Sequence, residues 1–175
     1  MVDMVDNVGH LLPDFLCIGA QKAGTTWLYN QLVQHPSVSI PQKEINVLAG
    51  KQQIAQRYAS FYSKSPPEAL RGDVSPVYST DPDIAVRAGQ FCPNARFILL
   101  VRDPVERAFA QYCMATKAGR IAPDIPFRDA FDRNLQFMQR RGCYAKILSE
   151  FEPAIGRTDR FLIASFDGFV SAHAT

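Results

Sequence analysis

The stretch that most narrows the fold is short. An apolar run, Phe15-Leu16-Cys17-Ile18, enters the loop Gly19-Ala20-Gln21-Lys22-Ala23-Gly24 and leaves through Thr25-Thr26-Trp27-Leu28 into a helical pattern from Thr26 to Gln34. A continuous apolar run of this length fits a strand buried in a parallel sheet. A glycine-bounded loop between such a strand and a helix start is an anion cradle. Glycine lets the backbone approach the anion closely, successive N–H groups converge on it, and the helix N-terminus adds its positive dipole. Lys22 adds a full charge, and the hydroxyls of Thr25 and Thr26 can donate to phosphate oxygens. A plain glycine turn would serve the fold equally well, but it would not need Lys22 and the threonine pair. The spacing of Gly19 and Gly24 matches G-x-x-x-x-G-K-[ST], yet Thr25 stands where that motif has lysine. The lysine sits inside the loop, too early to reach the β- and γ-phosphates of a nucleoside triphosphate.

The remainder alternates between strand and helix patterns. Helix one presents Trp27, Leu28, Leu32 and Val33 and ends near His35-Pro36, since the residue before proline avoids the α region. Ser37–Ile40 reads as a short strand stopped by Pro41. Lys43-Glu44 follows it and reads either as a solvated pair or as a group at a ligand-facing strand end. Ile54–Tyr62 is helical, Gly72–Tyr78 is a strand running into a turn, and Asp81 or Asp83 caps a helix reaching about Phe91. Ala95–Val101 is the clearest strand, and Asp103-Pro104 is an N-cap followed by proline at the first helical position. Arg102 therefore stands at a strand's carboxyl end beside a helix start. It is a second anion site by the same physics, or a structural partner of Asp103 or Glu106. Gly119–Pro126 reads as a loop, Phe127–Met138 and Tyr144–Phe151 as helices, and Arg160–Phe166 as a buried strand. The expected class is α/β, a P-loop-type three-layer α/β/α arrangement around a mainly parallel sheet. Residues 1–13 are expected to form a leader and 14–175 one domain.

Composition excludes several function classes. A net charge of +2 over 175 residues is too small to indicate nucleic acid or an anionic membrane surface as partner. No apolar stretch approaches the roughly 20 residues of a membrane span. Met1–Asp6 lacks the basic and apolar regions of a signal peptide, so a cytoplasmic location is expected. Cys17, Cys92, Cys113 and Cys143 form no C-x-x-C pair and are expected to be buried thiols. His10, His35 and His173 have no metal-ligand spacing, so no metal is expected.

The loop and the strand–Arg–Asp–Pro–helix segment together resemble the family of sulfotransferases that use 3′-phosphoadenosine 5′-phosphosulfate (PAPS). The likeness runs from about Leu12 to Phe169. Gly19–Leu28 is similar to the family's 5′-phosphosulfate loop, and Phe97–Phe109, with Arg102-Asp103-Pro104 and Arg107, to its 3′-phosphate element. Pro41–Asn46 is similar to the segment that carries a glutamate base in carbohydrate-type and many bacterial members, and Gly142-Cys143-Tyr144-Ala145 to a later helix start. The resemblance implies sulfuryl transfer from PAPS to a hydroxyl or amine, with PAP as product. It implies Glu44 as base and Lys22 beside the oxygen released from sulfur. Gln21, Lys22, Ala23, Gly24, Thr25 and Thr26 would hold the 5′-phosphate, and Trp27 would stack on adenine unless it is a core aromatic of helix one. Arg102 would bind the 3′-phosphate, with Ala110 and Tyr144 in the same site. A carbohydrate or small-molecule acceptor is implied by analogy with the Lys43-Glu44 segment.

Two departures stand out. Ala110 occupies the position where the family usually has a serine donating to the 3′-phosphate, a hydrogen bond worth roughly 1.5–3 kcal/mol. The sequence as given also ends before the family's basic loop that closes over the nucleotide. Two other readings stand beside the sulfotransferase. One is a catalytically silent nucleotide-binding fragment. The other is a P-loop small-molecule kinase, which would need lysine in place of Thr25 and a magnesium-binding aspartate at a strand end; Asp73, the nearest candidate, follows no apolar run.

Overall fold

The computed structural model describes residues 11–156 and 158–172. Five strands, β1 (Phe15–Gly19), β2 (Val38–Ser39), β3 (Leu70–Val74), β4 (Arg96–Val101) and β5 (Phe161–Ser165), form one sheet in the order β2-β3-β1-β4-β5. Every neighbouring pair is parallel. Parallel neighbours require crossover connections. Helices α1 (Thr25–Leu32), α2 (Ile54–Tyr62) and α3 (Pro82–Phe91) make the first three, and α4 (Pro104–Lys117), α5 (Phe127–Asp132) and α6 (Tyr144–Ile155) lie between β4 and β5. Helix α7 (Phe166–Ala172) follows β5 directly.

The strands alternate between two cores, as the pleat requires. Leu16, Ile18, Phe97 and Leu99 pack on one face with Tyr58, Tyr62, Ile84 and Phe151. Cys17, Val74 and Leu100 pack on the other with Leu28, Leu32 and Phe169. Helices thus cover both faces, which is the expected three-layer α/β/α architecture. A smaller core, with Ala108, Ala115, Ile121, Ala130 and Met138, joins α4 to α5 and the segment after it.

Local expectations were met unevenly. Helix α2 has the expected bounds, and Asp81 and Asp103 cap α3 and α4 through the N–H groups of Asp83, and of Val105 and Glu106, respectively. The helix expected over Phe127–Met138 instead stops at Asp132. Asn134, Gln136 and Phe137 all take positive φ, and the Phe131 carbonyl accepts both the Asn134 N–H and the Gln139 side chain, each at 2.8 Å. Apolar spacing continues past the break, but the carbonyls of Gln136 and Met138 turn toward Gln111 and Arg107 of α4. Helix α6 runs past its expected end to Ile155, with Gly156 beyond it at φ 69°. Cys17 and Cys92 are buried and free, whereas Cys113 and Cys143, expected inside, are exposed. Of the expected leader, residues 1–10 lie outside the described residues, and Leu11 and Leu12 rest on the main core. Among the described residues, no helix is long and apolar enough to cross a membrane.

Candidate active site

The strand order places the site. From β1 the chain moves to β2 and β3 on one side, and β4 and β5 lie on the other. The crevice at the carboxyl ends of β1 and β4 is therefore a topological switch point, where open α/β sheets bind ligands. The glycine loop leaves β1 there and Arg102 leaves β4. The N–H of Ala20 donates to the Leu100 carbonyl at 2.9 Å, which ties the loop to β4.

A cleft of about 440 Å³ opens at this point. Its walls include Gln21, Lys22, Gly24, Thr25 and Thr26 from the loop and α1, Lys43 and Glu44 from the segment after β2, Arg102 just past β4, and Ala110 from α4. Four cations, Lys22, Lys43, Arg102 and Arg120, face one carboxylate, Glu44.

The loop is shaped for an anion. Lys22 and Gly24 take φ of 71° and 92°. A Cβ on Gly24 would also run into the ring of Phe166, so glycine is required here on two grounds. The first-turn N–H groups of α1 have no partner within the helix. The Ala23 N–H turns back to the Ala20 carbonyl at 3.1 Å and is spent inside the loop, and the Ala23 side chain is buried. Gln21 is held from behind: its carbonyl accepts from Arg107 at 3.3 Å and its side-chain oxygen from Arg141. Burial, and then the neighbouring Lys43, lower the pKa of Lys22 below that of an ordinary lysine, while Glu44 opposes the shift. Lys22 and the Lys43–Glu44 pair, joined at 2.9 Å, therefore share one electrostatic neighbourhood.

Arg102 is set in place by its own backbone. The Tyr144 hydroxyl donates to the Arg102 carbonyl at 2.8 Å and accepts the Arg102 N–H at 3.1 Å. Tyr144 thus stands behind the arginine as a support. Asp103 is occupied in capping α4, so the ion partner is Glu106, at 3.4 Å. The guanidinium lies 5.0 Å from the Phe166 ring centroid, and its Nε is buried without a hydrogen-bond partner. An orphaned, buried, charged donor in a cleft wall is costly unless an acceptor arrives, and a phosphate oxygen meets that need. The residues present therefore fit a ligand with two anionic ends, one at the loop and one at Arg102.

Trp27 stacks on Phe169 of α7 with ring centroids 5.0 Å apart. Sequence reasoning did not pick out Arg120, Met114 or Phe166 as cleft residues. Phe166 carried a signal, since it stands at the carboxyl end of an apolar run; that run, β5, was expected to be buried but is the edge strand and leaves Leu162 and Ile163 exposed. Arg120 carried none, lying in a loop without periodicity. Asp73 does lie on a strand, β3, beside β1, but its carboxylate accepts from Tyr58, Ser75 and Tyr78 and stays inside the core.

The chain is 36% identical over 106 residues to the membrane-associated sulfotransferase kil1 of Dictyostelium discoideum, a match covering 58% of this chain and 22% of that protein. It is 33% identical over 108 residues to the bifunctional heparan sulfate N-deacetylase/N-sulfotransferase 1 of Caenorhabditis briggsae, covering 58% of this chain and 12% of that protein. The chain thus spans under a quarter of the length of either curated relative. Its fold is that of the crystallised sulfotransferase from Alicyclobacillus acidocaldarius, with a TM-score of 0.79 at 24% identity, over 91% of this chain and 75% of that one. The model of the sulfotransferase family matches residues 44–172, from Glu44 through Arg102 to α7, and with most of its length so matched this chain belongs to the sulfotransferase family.

Proposed function

We propose that the chain transfers a sulfuryl group from PAPS to a hydroxyl or amine of an anionic carbohydrate. One observation carries the reading. A single cleft brings together the lysine of a glycine loop, an arginine with an unpartnered buried donor, and a carboxylate between them in sequence. PAPS, when bound, supplies the sulfuryl group and leaves as PAP.

The chain's own residues divide the work. The first-turn amides of α1, with Thr25 and Thr26, hold the 5′-phosphate end. Lys22 stabilises charge growing on the oxygen released from sulfur, and a preorganised cation suits that task. Arg102, held at its backbone by Tyr144, takes the 3′-phosphate. Trp27 and Phe166 supply aromatic surface for the base, Trp27 with Phe169 already stacked on it. Glu44 accepts the proton from the acceptor, a contribution typically worth about 10²–10⁴ in rate. Once the donor's anions take Lys22 and Arg102, the cleft retains Lys43 and Arg120. Those two cations favour an acidic acceptor, in keeping with the heparan sulfate in the name of the Caenorhabditis relative.

The test is transfer of labelled sulfate from PAPS to N-desulfated heparin fragments by wild type and Glu44→Gln. The expected result is turnover by wild type, a fall of at least about 10²-fold in kcat for the variant, and PAP affinity within about twofold. Turnover unaffected by Glu44→Gln removes the base from the mechanism. PAP binding without any transfer favours the silent nucleotide-binding reading, which Ala110 in the cleft wall supports.

A further inference from the structure

The proposed mechanism leaves one buried carboxyl unused. Asp73, on β3, is wholly buried. Its Oδ1 accepts from the Ser75 hydroxyl at 2.5 Å, and its Oδ2 accepts from the hydroxyls of Tyr78 at 2.6 Å and Tyr58 at 2.9 Å. Burial pushes the Asp73 pKa up, and the three hydroxyls pull against that rise. A carboxylate only accepts, so each of these hydroxyls points its hydrogen at Asp73 and offers its lone pairs elsewhere. Ser75 Oγ accepts the N–H of Asn46 at 3.1 Å, and the Tyr78 hydroxyl accepts the N–H of Leu48 at 3.1 Å. Next along the segment, the Glu44 N–H donates to the Val74 carbonyl at 3.0 Å.

Three alternate amides, those of residues 44, 46 and 48, are therefore pinned to β3 and the turn after it. The segment needs pinning. Glu44 and Asn46 hold φ of 59° and 52°, a left-handed conformation that asparagine tolerates but that glutamate keeps only when its surroundings impose it. Ile45, Val47 and Leu48 are buried beneath. That backbone carries the Glu44 side chain into the cleft with Lys22.

We propose that Ser75, its hydroxyl oriented by Asp73, is a positioning residue that holds the Glu44 segment in its strained, cleft-facing conformation. The role rests on the reading of Glu44 as the base. The charge matters as well as the shape, because an asparagine at 73 presents a donor to one hydroxyl and turns that hydroxyl's hydrogen away.

The test uses Ser75→Ala, with Ser75→Thr as the variant that keeps the hydroxyl. Amide hydrogen exchange followed by NMR should show Glu44, Asn46 and Leu48 exchanging at least about tenfold faster in Ser75→Ala, while Thr25–Leu28 keep their rates. PAP affinity should stay within about twofold. In transfer from PAPS to N-desulfated heparin, kcat should fall at least about tenfold with KM for PAPS unchanged, and Ser75→Thr should restore both readouts. In a Glu44→Gln background Ser75→Ala should cost nothing further, since both changes remove the same step. An undisturbed Glu44 amide in Ser75→Ala overturns the proposal whatever the acceptor, and so does a loss that multiplies with that of Glu44→Gln. If Glu44→Gln alone leaves turnover intact, the base assignment fails and this role falls with it, while the exchange result still reports separately whether the hydroxyls hold the segment.

Discussion

Arg107 offers the sharpest test of how the glycine loop is held. It is fully buried, and among the described residues no carboxylate pairs with it. Its guanidinium donates to the Gln21 carbonyl at 3.3 Å, to Gln111 Oε1 at 2.7 Å and to the Met138 carbonyl, while its Nε has no partner. One side chain thus joins the loop after β1 to α4 and to the broken segment after α5. Arg107→Met keeps most of the volume and removes the charge. It leaves two buried acceptors, Gln111 Oε1 and the Met138 carbonyl, unpaired at about 1–3 kcal/mol each, and strips the half-buried Gln21 carbonyl of its donor, a gross loss of about 3–7 kcal/mol. The same change relieves the cost of burying an uncompensated cation, itself several kcal/mol. The expected net loss is about 2–4 kcal/mol, a fall in Tm of roughly 4–16 °C for a chain of this size. Urea unfolding followed by circular dichroism, with an unchanged m-value, measures it. PAP affinity should weaken in the same variant, because Gln21 loses its anchor. Stability within about 0.5 kcal/mol of wild type, with unchanged PAP affinity, would refute the reasoning.

Ala110→Ser restores a hydroxyl to the cleft wall and should tighten PAP binding by about one to two decades, read by calorimetry; unchanged affinity would mean that Ala110 does not face the 3′-phosphate. Gly24→Ala should cost about 2–4 kcal/mol in urea unfolding, since φ of 92° and the Phe166 ring both resist a Cβ. Burial pushes the Cys17 and Cys92 thiols up to about 12 from 9.0. Between those values the native state keeps protons that the unfolded state loses, so stability falls as pH rises above about 9. The two thiols alone should contribute a loss of about 3 kcal/mol in unfolding at pH 10 against pH 8, to which the buried hydroxyls of Tyr58, Tyr62 and Tyr78 add, and Cys92→Ala should recover about half of the thiols' share. A flat profile would contradict the burial of these thiols.

What the sequence revealed was local. The run Phe15–Ile18, the glycine loop, the apolar β4 and the Asp103-Pro104 cap each carry their signal within a few residues, so β1, β4 and both proposed anion sites were legible. Helix α2 was legible because its apolar positions and its proline stop are adjacent. The broken helix was not. Its apolar spacing continues past Asp132, and the break depends on Arg107 and Gln111, 25 to 31 residues away in sequence. Support for Gln21 comes from Arg141, 120 residues on. Asp73 read as an aspartate outside any apolar run; only the packing of Tyr58 and Tyr78 around it shows a hub beneath the Glu44 segment. Contacts of that kind depend on how strands are ordered in the sheet, which no window of sequence encodes.

The most direct test of the sulfotransferase reading is calorimetric titration of the folded chain with PAP, with 5′-AMP and with ATP plus Mg²⁺, at fixed ionic strength. The predicted result is micromolar binding of PAP, weaker binding of 5′-AMP, and loss of PAP binding in both Lys22→Ala and Arg102→Ala. Binding of ATP in preference to PAP, or PAP affinity indifferent to both substitutions, would contradict it.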